Sequence, residues 1–205
     1  MSRVAPLEPP YEPDVEARLS AMMPPGVPPI ALFRTFARNM PMAAAMDGWG
    51  RYELSQRLSL TLRDREIVID RTTARCTCEY EWGAHVAFFA ERAGLSASQI
   101  SSLTCGDATD PGWGKRDRLL IEAVDALHDT AGVPDGLWQR LAAEFSRAQL
   151  LDLLLLCSWY HAISCAANGA RVPWRTTSPG SPTSPVPERV FDRRSYTPAV
   201  DRLLR

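Results

Sequence analysis

The sequence predicts an all-α protein, on three observations. Period-2 alternation with β-branched enrichment is nearly absent. Eight of the 17 prolines fall in residues 1–30 and six in 171–205, leaving only Pro41, Pro111 and Pro134 between, each where a helix can begin or end. Helix punctuation is also explicit, with Ser96 suited to an N-cap and Gly94 and Gly106 to helix stops.

Residues 1–30 are expected to lie extended, apart from a short helix near Val15–Met22. Helices follow near 31–46, 61–75, 78–93, 97–103, 115–130, 135–145 and 147–168, the last stopped by Asn168-Gly169. Residues 171–205, rich in Pro, Ser, Thr and Arg, read as an arm reaching a neighbour. The chain thus divides into a proline-rich segment (1–30), one helical domain (31–170) and a C-terminal arm (171–205).

A chain of 205 residues, 45% hydrophobic, suffices for one domain with a sizeable core. A net charge of −1 gives no reason to expect a nucleic-acid or anionic-membrane partner. The start, Met1 to Pro13, lacks the charged-then-apolar pattern of a signal peptide, and no 18-residue apolar run occurs. The odd number of cysteines, five, does not suggest a disulfide scaffold, so a cytoplasmic protein with thiols is expected. The stretch from Gln149 to Ala167 is apolar around most of its circumference, which predicts a central core helix, a subunit interface or both. A homo-oligomer is the expectation.

The window from Glu66 to His85 carries the chemistry. Cys78, Glu81 and His85 fall within an arc of ~60° on a helix at ~100° per residue, beside Trp82, Phe88 and Phe89. A carboxylate on an apolar face costs several kcal/mol unless it is paired, so the pattern points to a site. On one straight helix Glu66 and Cys78 would stand ~18 Å apart at ~1.5 Å per residue. They meet only if the chain reverses, and Thr77 is the candidate N-cap of a new helix starting at Cys78. There the helix dipole would favour thiolate. The plainer roles are core packing for Cys78, an i,i+4 ion pair for Glu81 and His85, packing for Tyr80 and Trp82, and a core hydrogen bond for His161. His128 suits the end of its helix, and the spacing of Cys105, Cys157 and Cys165 matches no zinc pattern.

The spacing Glu66-x11-Cys78-x2-Glu81-x3-His85 resembles the carboxymuconolactone decarboxylase and alkyl hydroperoxidase D superfamily. Phe33-Arg34-Thr35-Phe36-Ala37, Ala93-Gly94-Leu95-Ser96 and Trp159-Tyr160-His161 with Asn168 are similar to its decarboxylase-like branch, over roughly residues 10–175. The resemblance implies a bundle of antiparallel helices assembled as dimers, trimers or hexamers. The peroxidase branch carries Cys-x2-Cys, whose second thiol resolves a sulfenic acid as a disulfide. Here Glu81 stands in that place and Tyr80 replaces the intervening histidine. Cys76 would point ~200° from Cys78 if both were helical, so dithiol chemistry is disfavoured.

The resemblance therefore implies a cofactor-free acid–base enzyme acting on a small carboxylated or lactone-like compound, with Glu66, Cys78, Glu81 and His85 as the catalytic set. In this reading His85 donates to an oxyanion or supplies a proton, one glutamate acts as general acid, and the other orients His85. Tyr80, Trp82, Arg75 and His161 are candidates for substrate contact, with Arg34 or Arg171 as alternative carboxylate receivers. No metal is expected, although Glu66, Cys78, Glu81 and His85 would also make a mixed ligand set. The alternatives are a thiol-dependent peroxidase using Cys78 and a non-catalytic small-molecule-binding homologue.

Overall fold

A computed structural model describes residues 1–23 and 26–173, and among these every regular element is a helix. In chain order they are α1 (Pro13–Ala21), α2 (Ala31–Phe36), α3 (Met40–Leu54), α4 (Leu62–Arg75), α5 (Glu79–Phe89), α6 (Ala97–Cys105), α7 (Lys115–Thr130), α8 (Asp135–Glu144) and α9 (Arg147–Ala170). Among the described residues the chain forms two compact units, one of 1–57 with 167–173 and one of 58–166. The expected arm over 171–205 falls, from residue 174 on, outside the described residues.

In the first unit, the single helix expected over 31–46 is two. The Asn39 side chain accepts a hydrogen bond from Met42 N at 3.2 Å and starts α3, with Pro41 in its first turn, where the missing N–H costs nothing. The proline-rich start is pinned by its backbone: Leu7 N donates to Arg34 O at 3.1 Å, and Arg3 N to Ala170 O at 2.8 Å. Arg34 is not available for a substrate carboxylate, because its guanidinium is held by Glu8 at 2.7 Å and by the Leu7 carbonyl at 2.8 Å.

The second unit is built around α4, which packs against α5, α6 and α7, while α8 packs on α7. Thr61 and Asp64 start α4 as a capping box, each side chain accepting from the other's backbone N–H at 3.1 Å. Ten consecutive residues of this helix, Asp64 to Thr73, are buried. The sequence offered the apolar α9 as a central core helix, a subunit interface or both. Yet α9 leaves Leu151 and Leu155 exposed, while the highly charged α4 is covered all round. Ion pairs make this tolerable. Arg63 meets Asp117 at 2.9 Å, Asp64 meets Arg116 at 2.9 Å, and Arg71 meets Asp125 at 2.7 Å. Arg63–Asp117, Arg71–Asp125 and Arg75–Asp129 keep one separation of 54 residues, so α4 and α7 run parallel. By length and composition α9 alone among the described helices could cross a membrane, but 56% of its most apolar stretch is buried inside the fold.

Between α4 and α5 the chain reverses, as Glu66 and Cys78 require in order to meet. Thr77, at φ 50°, makes the turn, while Cys78 N donates to Thr73 O at 2.9 Å and Thr77 N to Ala74 O at 2.9 Å. Thr77 is therefore the left-handed hinge, and Cys78, not Thr77, occupies the N-cap of α5. A β-branched residue in the left-handed region is strained by ~1–2 kcal/mol. At the far end, α5 gives way to a turn at Ala90, closed by Gly94 at φ 66°. Helix α9 runs on through Gly169 and ends where Arg171 turns left-handed. Replacing Thr77 by Gly should raise stability by ~1 kcal/mol, relief of strain exceeding the entropy glycine adds to the unfolded chain. The measurement is the urea midpoint at unchanged slope, and a lower midpoint would contradict the strain.

Candidate functional site

Hairpin α4–α5 and the middle of α9 bring three side chains into one hydrogen-bonded line. His85 Nδ1 lies 2.9 Å from Glu66 Oε2, and Tyr160 Oη lies 2.9 Å from His85 Nε2. All three residues are buried. Nδ1 donates to the ionised Glu66 carboxylate, and Nε2 and the Tyr160 hydroxyl share the second bond, with either atom able to donate. The carboxylate–imidazole–hydroxyl order is that of an orienter–base–nucleophile array, with a phenol at the end. Arg65 completes the anchor, its Nε 2.6 Å from Glu66 Oε1 and its guanidinium 4.9 Å from the centre of the Phe89 ring. The His85 ring also packs edge-on against Tyr160, with ring centres 5.0 Å apart.

The three carboxyl groups near this line are held in different states. Burial opposes charge on Glu66, but His85 and Arg65, through charge and hydrogen bonds, hold its carboxyl below the usual range. Glu81, buried on α5, is pushed up by desolvation, which the charge of His85 only partly offsets. Asp70, one turn beyond Glu66 on α4, is pushed well above the carboxylate range by burial and then by the Glu66 charge. Neither Asp70 oxygen has a hydrogen-bond partner among the described residues. Glu66 is thus biased toward the anion, and Glu81 and Asp70 toward the protonated form. Groups driven apart in this way divide naturally into acid and base.

Cys78 departs from expectation. Its side chain is 1% exposed, and burial raises its thiol despite the backbone amides of Glu81 and Tyr80 that favour thiolate. Desolvation outweighs the helix terminus. The helical argument separating Cys76 from Cys78 also fails, since residues 76–78 form the reversal, and Ser164 lies within reach of both thiols. Burial pushes the Cys76 thiol up to about 11.

The expected substrate contacts are scattered. Tyr80 and Trp82 are half-buried on α5, and the Trp82 indole N–H is buried with no acceptor among the described residues. Arg75 is drawn to Asp129 and, at 3.7 Å, Asp125. His161 points away from the Glu66–His85 line, to His128 at 2.9 Å and the Cys157 carbonyl at 2.9 Å. Tyr160 entered the sequence reading only within the Trp159-Tyr160-His161 motif, with no role of its own, and Arg65 and Asp70 did not enter it. Asp70 carried a signal, lying four residues beyond Glu66 on the same helix face. The pairing of Tyr160 with His85 lies across the fold, and Arg65 meets Glu66 on the next residue, so no spacing rule marks either. A cavity of about 480 Å³ beside Trp113, Arg118 and Arg140 contains none of these groups.

No protein-family model and no curated protein matches the chain in sequence. Solved structures do match it in fold. A protein of unknown function from Agrobacterium tumefaciens, described as an AhpD-type antioxidant defence protein, is 23% identical over 67% of this chain and 94% of its own, with a TM-score of 0.60. A peroxidase-related protein from Silicibacter sp. TM1040 is 13% identical over 82% of this chain and 88% of its own, with a TM-score of 0.70. The debrominase Bmp8, as a cysteine-to-alanine variant in complex with 2,3,4-tribromopyrrole, is 15% identical over 84% and 92%, with a TM-score of 0.61. The chain thus has the all-helical alkyl hydroperoxidase D-like fold, which one enzyme among these neighbours shares.

The buried carboxyls make stability depend on pH. A carboxyl raised in the fold stabilises fully below its unfolded value of about 3.9, and the contribution is lost as pH rises through the folded value. Asp70→Asn should therefore melt above the wild type at pH 8, with the two curves converging below about pH 4. A variant less stable than wild type at pH 8 would mean that Asp70 is ionised and paired.

Proposed function

We propose that this protein is a cofactor-independent acid–base enzyme for a small carboxylated or lactone-like compound, with decarboxylation followed by protonation of carbon as its leading reaction. The single observation that carries this reading is the Tyr160–His85–Glu66 line, flanked by Glu81, whose carboxyl burial pushes up. Breaking the bond to the departing carboxylate sends its electron pair into the conjugated lactone carbonyl, and carbon dioxide leaves. His85 Nε2–H donates to Tyr160 Oη, which leaves the phenol's one proton free to donate a hydrogen bond to the oxyanion that develops. Glu81 delivers its proton to carbon and recovers one from water. Isomerisation and dehydration of similar compounds draw on the same groups. Tribromopyrrole in the debrominase is a small unsaturated ring, which supports a ligand of that size in this fold.

A thiol-dependent reaction is the second reading, favoured by one observation: Cys76 and Cys78 stand two residues apart across the reversal, with the Ser164 hydroxyl near enough to lower both thiols slightly. Against it stands burial, which keeps both thiols protonated, and the thiolate is the reactive form. On a panel of carboxylated lactones, His85→Ala and Glu81→Gln should lower kcat by ~10²–10⁴, and Cys78→Ser by less. A Cys78→Ser loss equal to that of His85→Ala, with a reversible Cys76–Cys78 disulfide after peroxide, would establish the thiol reading instead.

The assembly proposed with this function is a homo-oligomer. Leu151 and Leu155 are exposed one turn apart on α9, and Ala162 and Ala166 continue the same exposed stripe. Light scattering at micromolar concentration should return a multiple of 22.7 kDa, and Leu151→Glu with Leu155→Glu should reduce it to one chain. A wild-type monomer would rule the assembly out.

A further inference from the structure

We propose that Cys76, His128 and His161 form a binding site for a divalent metal ion of the zinc class, distinct from the Tyr160–His85–Glu66 line. The three residues come from three elements: the C-cap of α4, the last turn of α7 and the middle of α9. Their donor atoms, one sulfur and two imidazole nitrogens, all lie within 4.8 Å of one another. His128 Nδ1 is 2.9 Å from His161 Nε2 and 4.0 Å from Cys76 Sγ. Tetrahedral zinc bonds of ~2.0–2.1 Å to nitrogen and ~2.3 Å to sulfur place such pairs at about 3.3 and 3.6 Å. Small side-chain rotations close each difference.

The surroundings already orient one ligand. His161 Nδ1 donates to the Cys157 carbonyl at 2.9 Å, which fixes the tautomer and leaves the Nε2 lone pair facing the cluster. Without an ion, the His128 Nδ1 proton occupies the gap between the rings. On loading, that proton moves to His128 Nε2, the Cys76 thiol releases its own to solvent, and sulfur and both nitrogens each give a lone pair to the ion. All three residues are half-buried, so an ion can reach them and water can take the fourth position. Two imidazoles with one thiolate suit zinc better than magnesium or calcium, which take oxygen ligands. Cys76 lies two residues before Cys78, and His161 follows Tyr160. A bound ion therefore ties the reversal to the part of α9 that carries the phenol.

The test is cobalt titration of the full chain, expressed without a histidine tag and stripped with chelator. One equivalent of Co(II) should give a thiolate-to-cobalt charge-transfer band and tetrahedral visible bands, both abolished by one equivalent of Zn(II). Cys76→Ser should remove the charge-transfer band, and His128→Ala or His161→Gln should weaken cobalt binding at least tenfold, with helix content checked by circular dichroism. Cys78→Ser and His85→Ala should leave the band in place. Zn(II) should raise the melting temperature of the wild type but not of Cys76→Ser. A band lost with Cys78→Ser and kept with Cys76→Ser would move the ion to the Glu66–His85 site and overturn the proposal. So would the absence of saturable binding by folded wild-type protein.

Discussion

Helix α4 carries seven charged residues in fourteen, and five of them, Asp64, Arg65, Glu66, Asp70 and Arg71, are buried. A buried charge is tolerated only when paired, and stripping one partner from such a pair costs ~3–5 kcal/mol. The rest of the second unit answers that demand. Helix α7 runs parallel to α4 and supplies Arg116, Asp117 and Asp125 at matching heights. The Leu103 and Gly106 carbonyls, at the end of α6, take the remaining donors of Arg71 at 3.0 and 2.9 Å. A Cβ at Gly106 would strike the Asp110 carboxylate and force it off its hydrogen bond with Ser102. Buried ion pairs add little net stability, but their geometry penalises any other register of α4 against its neighbours.

The functional line grows from the same helix. Glu66 has two counter-charges, Arg65 and His85, which hold its carboxyl down, whereas Asp70, one turn away, has no hydrogen-bond partner among the described residues and is pushed up by burial and the Glu66 charge. A helix that must satisfy its charges thus holds one carboxylate fixed against an imidazole and biases the next toward its acid form. The strained Thr77 turn is the joint that makes this possible, because it folds α5 back on α4 and sets His85 beside Glu66. Strained left-handed residues of this kind concentrate at functional sites, where surrounding packing over-determines them.

The neighbours in fold include an AhpD-type protein, a peroxidase-related protein and a debrominase. One helical frame therefore accompanies more than one chemistry, and the side chains decide among them. In this chain a glutamate stands three residues after Cys78, both thiols at the reversal are desolvated, and a tyrosine, an imidazole and a glutamate pushed up by burial are gathered nearby. On that balance rests the proposal of proton transfer rather than sulfur redox chemistry.

Much of this was legible in the sequence, because it is local. Capping at Ser96, the clustering of prolines, the boundary at Pro41 and the i,i+4 placement of Glu81 and His85 depend on residues a few positions apart. The reversal between Glu66 and Cys78 was legible as a necessity, though not its mechanism, since nothing local marks Thr77 for a positive φ. Apolarity marked α9 as a core or interface helix and gave no sign that α4 is the one covered all round. Charge pairing across 54 residues buries α4, and no periodicity within α4 reveals its partners. The pairing of Tyr160 with His85 spans 75 residues, and His128 with His161 spans 33, so spacing rules could not find either. The sequence by itself determined which helices form and which acid, base and thiol groups they carry. Tertiary packing alone decided which of those groups meet, and burial then decided which of them keep their protons.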